Sequence, residues 1–146
     1  MNKTFSAQLN TAVNASLLAG KSIMRFYSRL DSLKITSKGF NDYVSEADQE
    51  SEKIITDELS KKYPNYKITA EESGSNKVNS EFEWFIDPLD GTTNFIHGIP
   101  QFAISIGLCK NKVPILGVVY DPFKNELFCA EEGNGAYLNN KRIRVS

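Results

Sequence analysis

The sequence predicts an α+β fold in which two N-terminal helices pack on a mostly antiparallel sheet. Apolar residues recur at helical spacing early in the chain, whereas apolar alternation and turn signals dominate after residue 100. Helices followed by a meander of strands are typical of α+β proteins and argue against a doubly wound parallel sheet. With 146 residues, the chain is expected to form a single domain, residues 1–146.

The first helix is predicted to span residues 4–30 because its apolar residues fall on one face. Gly20 is tolerated within it and allows a neighbour to pack closely. A short strand is then expected at residues 34–36 and a loop at residues 38–41. The apolar face consists of Phe5, Leu9, Val13, Leu17, Met24 and Tyr27.

A second helix is predicted to begin at Ser45, whose hydroxyl can cap it, and to end before residues 63–65, where Pro64 lies. A carboxylate on the apolar face of this helix needs a partner. Asp48 therefore either points at a cation or serves the helix cap, and the residues alone leave both readings open. The residues that share this face are Val44, Asp48, Ser51 and Ile55.

The later part of the chain predicts a meander of strands at residues 102–109, 113–120 and 126–130, with further short strands beyond them. Along the first of these, alternate residues are large and apolar. The predicted turns are Asn111-Lys112, residues 121–125, residues 133–135 and Asn139-Asn140.

The strongest chemical signal lies at residues 84–95, where an apolar run leads into two carboxylates, a glycine and two hydroxyls. The run predicts a buried strand with Asp87 at its carboxyl end, and Pro88 is expected to end that strand. Asp90 and Gly91 then predict a turn into a short helix whose first N–H groups are exposed. An isolated Asp-x-x-Asp-Gly is often only a turn, but here a second acidic element, Glu71 and Glu72, precedes it.

These residues suit Mg²⁺, which prefers carboxylate oxygens and usually also binds substrate phosphate. Asp87, Asp90 and the Leu89 carbonyl are candidate ligands, and either Glu71 or Glu72 is expected to reach the metal. Such a site suits phosphoryl transfer to a metal-activated water. The Thr92 hydroxyl can orient that water, while the N–H groups of Gly91 and Thr92 can hold phosphate oxygens.

Phosphatases of the haloacid dehalogenase type also place Asp residues before Gly-Thr, and there the first Asp is the nucleophile. Their two carboxylates are two positions apart, whereas Asp87 and Asp90 are three apart with Pro88 between them. This spacing favours water over an aspartyl-phosphate intermediate.

The segment Asp-Pro-Leu-Asp-Gly-Thr-Thr-Asn-Phe at 87–95 resembles the signature of the inositol monophosphatase family of Mg²⁺-dependent, lithium-sensitive phosphatases. The segments at 42–48 and 70–74 are similar to two further family motifs, with Ser45 in place of a more usual Thr. The resemblance implies the N-terminal domain of the sugar phosphatase fold. It also implies hydrolysis of inositol monophosphate or a related sugar phosphate, and the family commonly forms homodimers.

The resemblance also implies roles for individual residues, with Glu72 in a supporting position. The implied metal ligands are Glu71, Asp87, the Leu89 carbonyl and Asp90. The implied phosphate-binding residues are Asp90, Gly91 and Thr92. The implied catalytic residues are Glu71 and Thr92, which align the nucleophilic water, and Asp48, which assists a further metal or its water.

The family has a third metal-binding Asp in a C-terminal Trp-Asp motif, but the only Trp here is Trp84. The chain therefore resembles the N-terminal half of such an enzyme, and alone it is expected to bind metal weakly and to be inactive. Other substrates in the family are fructose 1,6-bisphosphate, histidinol phosphate and nucleotide 3′-phosphates. A non-catalytic interaction module is a further alternative, because some bacterial relatives act as partners of the transcription machinery.

The composition narrows the remaining possibilities. A net charge of −1 gives no basic surface for nucleic acid, and no apolar run reaches membrane-spanning length, so a cytoplasmic protein is expected. Cys109 and Cys129 are expected to be reduced core residues, and His97 a locally bonded loop residue. Lys38 either touches a phosphate or is solvated, and solvation is the simpler expectation.

Overall fold

The computed structural model describes residues 4–30 and 37–146, without the side chains of residues 37, 38 and 40. The predicted α+β fold is confirmed: two long helices lie on one mostly antiparallel sheet. The helices are α1 (Ala7–Ser28), α2 (Ser37–Lys62) and the short α3 (Thr92–Ile96). The strands are β1 (Lys67–Ala70), β2 (Gly74–Ser75), β3 (Phe82–Asp90), β4 (Ala103–Lys110), β5 (Val113–Asp121), β6 (Glu126–Glu131), β7 (Gly135–Leu138) and β8 (Lys141–Ile143).

The sheet has the order β2-β1-β3-β4-β5-β6-β7-β8. From β3 to β8 each strand is antiparallel to the next, which confirms the predicted meander. β1 lies parallel to β3, so the carboxyl ends of these two strands meet at one edge. Asn residues adopt positive φ in the turns at 111, 125, 139 and 140, a conformation that Asn tolerates better than most residues.

The core lies between the two long helices and one face of the sheet. Trp84, Ile104 and Leu108 are completely buried on that face. Gly20 of α1 brings the helix close to β5, because an added Cβ would lie 2.5 Å from Cε2 of Tyr120. The close packing predicted for Gly20 is therefore confirmed.

The start of α2 was predicted wrongly. The helix already begins at Ser37, so residues 38–41 are helical and Ser45 lies within the helix, where its hydroxyl accepts a hydrogen bond from Gln49 Nε2 (3.3 Å). Packing explains the longer helix: Val44 is buried and the Tyr43 hydroxyl donates to the Phe26 carbonyl (2.8 Å) of α1. Tertiary contacts of this kind override weak local propensity.

Other predicted features have mixed outcomes. The predicted helix ends near residues 30 and 63 are confirmed, whereas the strand expected at 34–36 lies outside the described residues. Cys109 and Cys129 are free thiols, but only Cys129 is fully buried. His97 is an exposed residue whose Nδ1 lies 2.7 Å from the Thr93 carbonyl oxygen, which confirms its local bonding. Within the described part of the chain, no helix combines the length and hydrophobicity needed to span a membrane.

Candidate metal and phosphate site

Two acidic segments meet where β1 and β3 end. Ala70 is the register partner of Ile86, and the Glu71 N–H donates to the Ile86 carbonyl (3.2 Å). Because the strands run parallel, Glu71 and Asp87 leave them side by side. The Asp87 and Glu71 carboxyls share a hydrogen bond, so the structure brings together two residues that were predicted separately.

β3 does not end at Pro88, contrary to the sequence-based expectation. The strand continues to Asp90, but its register against β4 shifts between Asp87 and Asp90, which pair with Ser105 and Ala103 respectively. Pro88 lies in this irregular part of the strand, where its missing N–H costs no regular ladder bond. A bulge of this kind re-aims side chains, and here it separates the two carboxylates.

Two hydrogen bonds fix the backbone of the bulge, one within β3 and one from α2. The Leu89 N–H donates to Oδ1 of Asp87 (3.3 Å), and Oγ of Ser51 on α2 donates to the Pro88 carbonyl (2.7 Å). Ser51 is completely buried, so this bond is shielded from water. The Leu89 side chain is buried as well, whereas Asp90 is exposed. The two carboxylates of the bulge therefore project from a backbone segment with little freedom.

Gly91 makes the turn from β3 into α3. Its φ is +89°, and an added Cβ would lie 2.7 Å from the Gln101 carbonyl oxygen, so only glycine fits without distortion. Thr92 begins α3, and no side chain of the described residues caps the helix. The predicted turn and short helix are thus confirmed. The first N–H groups of a helix lack intrahelical acceptors, which leaves them able to bind an anion.

Asp48 reaches the same region from α2. The predicted helix face is confirmed, because Val44, Asp48, Ser51 and Ile55 are all buried. Asp48 is only 8% exposed, and its Oδ1 has no hydrogen-bond partner among the described residues. Its carboxyl shares a hydrogen bond with Glu72. Asp48 therefore lies within the helix, and the capping alternative is wrong.

Together these segments form an acidic cluster. Burial is the main cause that raises the pKa of both Asp48 and Asp87 to about 7. Neighbouring carboxylates raise both pKa values further, Glu72 at Asp48 and Glu71 at Asp87. None of the ion pairs between described residues includes a member of the cluster. The acidic cluster consists of Asp48, Glu71, Glu72, Asp87 and Asp90.

The acidic cluster fits a hard divalent cation by its chemistry. Every side-chain ligand atom is a carboxylate oxygen, the type that Mg²⁺ prefers. Oδ1 of Asp48 is buried and accepts no hydrogen bond from any described residue. Such an atom is costly unless a cation or a water satisfies it. Among residues 4–30 and 37–146, no three acidic, His or Cys side chains already surround one point at ligating distance. The carboxyls instead hydrogen-bond one another in pairs.

Glu52 is a member of this region that sequence reasoning missed. It is 8% exposed, and its Oε1 accepts hydrogen bonds from the N–H groups of Glu72 (3.1 Å) and Ser73 (3.3 Å). Glu52 lies four residues after Asp48 and so on the same helix face, a spacing that could have drawn attention to it. The side chain of Lys38 lies outside the described part, so its predicted solvation stays a prediction.

A groove of about 520 Å³ begins beside the site. Its wall includes Asp90, Gly91 and Gln101, and Lys124 Nζ donates to Oε1 of Gln101 (3.3 Å). The Gln101 carbonyl also accepts from Asn94 Nδ2 (2.9 Å). The candidate site is therefore open to solvent on the side of β4 and β5.

The fold and the acidic strand ends define an α+β domain with a candidate site for a cation and a phosphate group. The chain belongs to the inositol monophosphatase family, whose family model matches residues 6–146. The match covers nearly the whole chain, as the sequence motifs predicted.

Relatives in this family have two kinds of name. The chain is 47% identical over 139 residues to a protein of Haemophilus influenzae named Nus factor SuhB, with 94% of this chain and 52% of that protein covered. It is 46% identical over 142 residues to an inositol-1-monophosphatase of Mesorhizobium japonicum, with 97% and 53% covered. The crystal structure of the extragenic suppressor protein suhB from Bartonella henselae is 45% identical, with a TM-score of 0.86 and 97% and 55% covered. The chain thus spans about half the length of the relatives it matches.

Proposed function

We propose that the chain carries half of a Mg²⁺-dependent site that hydrolyses a phosphate monoester, with inositol monophosphate or a related sugar phosphate as substrate. The observation that supports this proposal is that carboxyl side chains of the acidic cluster lie next to other carboxyl side chains. Carboxyls from α2, from the end of β1 and from the β3 bulge meet with no basic partner among the described residues. Such a cluster is stable with a divalent cation and is poorly stabilised by the protein itself.

Glu71, Asp87, Asp90 and the Leu89 carbonyl would hold the cation, as the family resemblance implies. When bound, Mg²⁺ supplies charge neutralisation for the phosphate and makes water a better nucleophile. The hydrogen bonds between carboxyls, Asp87 to Glu71 and Asp48 to Glu72, would then be exchanged for bonds to the cation and its water.

The remaining residues act on water and phosphate. Glu71 and the Thr92 hydroxyl accept hydrogen bonds from the attacking water and fix its direction. The N–H groups of Gly91 and Thr92, uncapped at the start of α3, donate to phosphate oxygens. Asp48 assists from α2, where its Oδ1 has no described donor. The three-residue spacing of Asp87 and Asp90, with Pro88 between them, supports attack by water on phosphorus.

The choice of substrate rests on the relatives. The Mesorhizobium protein is named for inositol 1-phosphate hydrolysis, and Thr93 and Asn94 resemble the inositol and sugar phosphatase branch. Fructose 1,6-bisphosphate, histidinol phosphate and nucleotide 3′-phosphates are the competing substrates within the family. Cytoplasmic location, lithium sensitivity and homodimer formation remain predictions, and the last is tested by sedimentation.

Phosphate release from a panel of these esters tests the proposal. It should be measured for this chain and for any longer polypeptide that contains it, with Mg²⁺, without Mg²⁺ and with added Li⁺. We expect release only from the longer polypeptide, and we expect it to need Mg²⁺, to be inhibited by Li⁺ and to be greatest for inositol monophosphate. Release that continues undiminished with excess chelator would contradict the proposed mechanism.

A second candidate function is favoured by the name of the Haemophilus relative, Nus factor SuhB. We propose as the alternative that the domain binds proteins of the transcription machinery without chemistry at the acidic cluster. A pull-down with Asp87→Asn/Asp90→Asn discriminates between the two. Binding retained by the variant, together with no phosphate release by the unsubstituted protein, would favour the interaction module.

A further inference from the structure

Two neighbouring residues of α2 each hold one of the two acidic segments. Glu52 accepts hydrogen bonds from the N–H groups of Glu72 and Ser73, directly after Glu71. Ser51 donates to the Pro88 carbonyl, between Asp87 and Asp90. Asp48 lies on the same helix face, one turn earlier. One stretch of helix thus touches both segments that carry the candidate cation ligands.

We propose that Ser51 and Glu52 form a positioning clamp that fixes the distance between the two acidic segments, with Glu52 as its principal member. This inference rests on the proposed cation site, but it concerns residues that have no ligand or catalytic role in that proposal. Glu52 is the positioning residue for Glu71, and Ser51 is the positioning residue for Asp87 and Asp90.

The geometry favours Glu52 as a positioning residue over Glu52 as a further ligand. Both of its observed contacts are with main-chain N–H groups through a single oxygen, Oε1. A carboxylate that accepts two main-chain N–H bonds is already well satisfied, and such charge-assisted bonds are stronger than neutral ones. Glu52 also satisfies N–H groups of an exposed turn, where β1 has ended and no ladder partner is available.

The clamp is needed because the acids repel one another. Glu71 and Glu72 are both exposed and follow a strand of only four residues. The Glu71 N–H already donates to the Ile86 carbonyl of β3, and Glu52 fixes the next two residues of the turn. Once the carboxyls are ionised, repulsion from Asp48 and Asp87 would otherwise displace these two residues. Shifts in the partners of metal ligands typically cost about 10–100-fold in metal affinity. Glu52 therefore opposes that displacement before any cation is bound.

The test uses the 146-residue chain, Mg²⁺ as the probe, and backbone amide NMR. We expect Glu52→Ala to speed hydrogen exchange at the Glu72 and Ser73 amides and to weaken Mg²⁺ binding by about 10–100-fold. Glu52→Gln keeps an oxygen acceptor for both N–H groups but loses the charge that strengthens the two bonds, so its loss of Mg²⁺ affinity should be clearly smaller than that of Glu52→Ala. If Glu52→Gln binds Mg²⁺ more tightly than Glu52→Ala, the lost hydrogen bonds, and not only the lost charge, explain the effect of Glu52→Ala.

Two further variants complete the design. Gln49→Ala is the matched control, because Gln49 lies on the same helix, is exposed, and donates to the Ser45 hydroxyl. The Mg²⁺ affinity of this variant should be unchanged. Ser51→Ala should weaken Mg²⁺ binding less than Glu52→Ala and should change the amide signals of Leu89 and Asp90. Urea unfolding of each variant identifies any general loss of stability.

The outcomes separate the two proposals. If the unsubstituted chain binds Mg²⁺ and Glu52→Ala binds it equally well, the clamp is overturned while the cation site stands. If Glu52→Gln weakens binding as much as Glu52→Ala, Glu52 acts by its charge and the positioning role is overturned. If neither the unsubstituted chain nor a longer polypeptide that contains it shows Mg²⁺-dependent shifts, the proposed cation site is overturned and the clamp with it.

Discussion

The acidic cluster and the meander of β5 to β8 use similar residues in opposite ways. In the meander, Oε2 of Glu131 lies 3.3 Å from the Ser6 N–H and 2.6 Å from Asn134 Nδ2, and both donate to it. Asp121 accepts from the Lys124 N–H and lies 3.9 Å from its Nζ. In the acidic cluster, Asp87 and Asp48 share hydrogen bonds with other acids. Glu131 and Asp121 are thus satisfied by the chain's own donors, whereas the acidic cluster pairs acid with acid, the arrangement for which we propose a cation.

The largest expected effect on activity comes from removing the charge of a carboxylate with which the acidic cluster faces solvent. In a longer polypeptide that contains this domain, Asp90→Asn should reduce Mg²⁺-dependent phosphate release by about 100-fold or more, the scale on which preorganised electrostatic groups act. The thermal unfolding midpoint should change little, because Asp90 is exposed. Glu131→Gln in the meander, away from the groove beside Asp90, is the control and should keep full activity. Equal losses of activity in both variants would show that the acidic cluster and the meander do not differ in function.

Gly91→Ala should give the largest loss of stability. Ala would adopt an unfavourable φ near +89° and place its Cβ 2.7 Å from the Gln101 carbonyl oxygen, which together should cost about 3–4 kcal/mol. Gly133→Ala is the matched control, since Gly133 has φ +82° with nothing within 4 Å of an added Cβ. It should cost only about 1 kcal/mol in urea unfolding. Similar losses at both positions would show that conformation, not close packing, explains the need for glycine.

The metal-free protein should lose stability as the pH rises from about 4 to about 8. Asp48 and Asp87 have folded-state pKa values near 7, raised mainly by burial above the ordinary 3.8. The folded state therefore binds the proton more tightly, and this stabilisation is complete below pH 3.8 and lost as the pH passes 7. With allowance for solvent screening, the change should total about 2–3 kcal/mol.

Urea unfolding at several pH values measures this dependence. Asp48→Asn should reduce the slope between pH 4 and pH 8, and Asp121→Asn should leave it unchanged. Saturating Mg²⁺ should flatten the slope near neutral pH, because cation binding favours the ionised carboxylates. A slope that is the same in Asp48→Asn and the unsubstituted chain would contradict the assignment.

The smallest effect is expected in the meander. Glu131→Gln keeps an oxygen that can accept from the Ser6 N–H, so the free energy of unfolding should fall by less than about 1 kcal/mol. Mg²⁺ affinity should stay the same, because the substitution lies outside the acidic cluster. A clear change in Mg²⁺ affinity would mean that the two regions are coupled.

Sequence reasoning found the parts of the site that depend on local patterns. The meander, the turn at Gly91 and the short helix after it follow from turn residues and alternation. The start of α2 was missed because burial of Val44 and the contact of Tyr43 with α1 are tertiary effects. Pro88 was read as a strand end because the bulge that accommodates it is visible only in the register with β4.

The same limit applies to the acidic cluster. Spacing on the helix placed Asp48 and Ser51 on one buried face, but it could not identify their partners. Glu52 was missed because its partners, the N–H groups of Glu72 and Ser73, lie 20 and 21 residues away. A glutamate that binds backbone leaves no motif in the sequence.

The Ser51–Pro88 hydrogen bond joins residues 37 positions apart, and this separation bears on the order of folding. Pairing of neighbouring strands in the meander closes short loops, which form quickly. Packing of α2 against β3 closes a much longer loop and is therefore slower. We therefore expect β3 to be paired with β4 before α2 brings Asp48 against it. The mutually repelling acids would then come together late, on a strand whose register is already set.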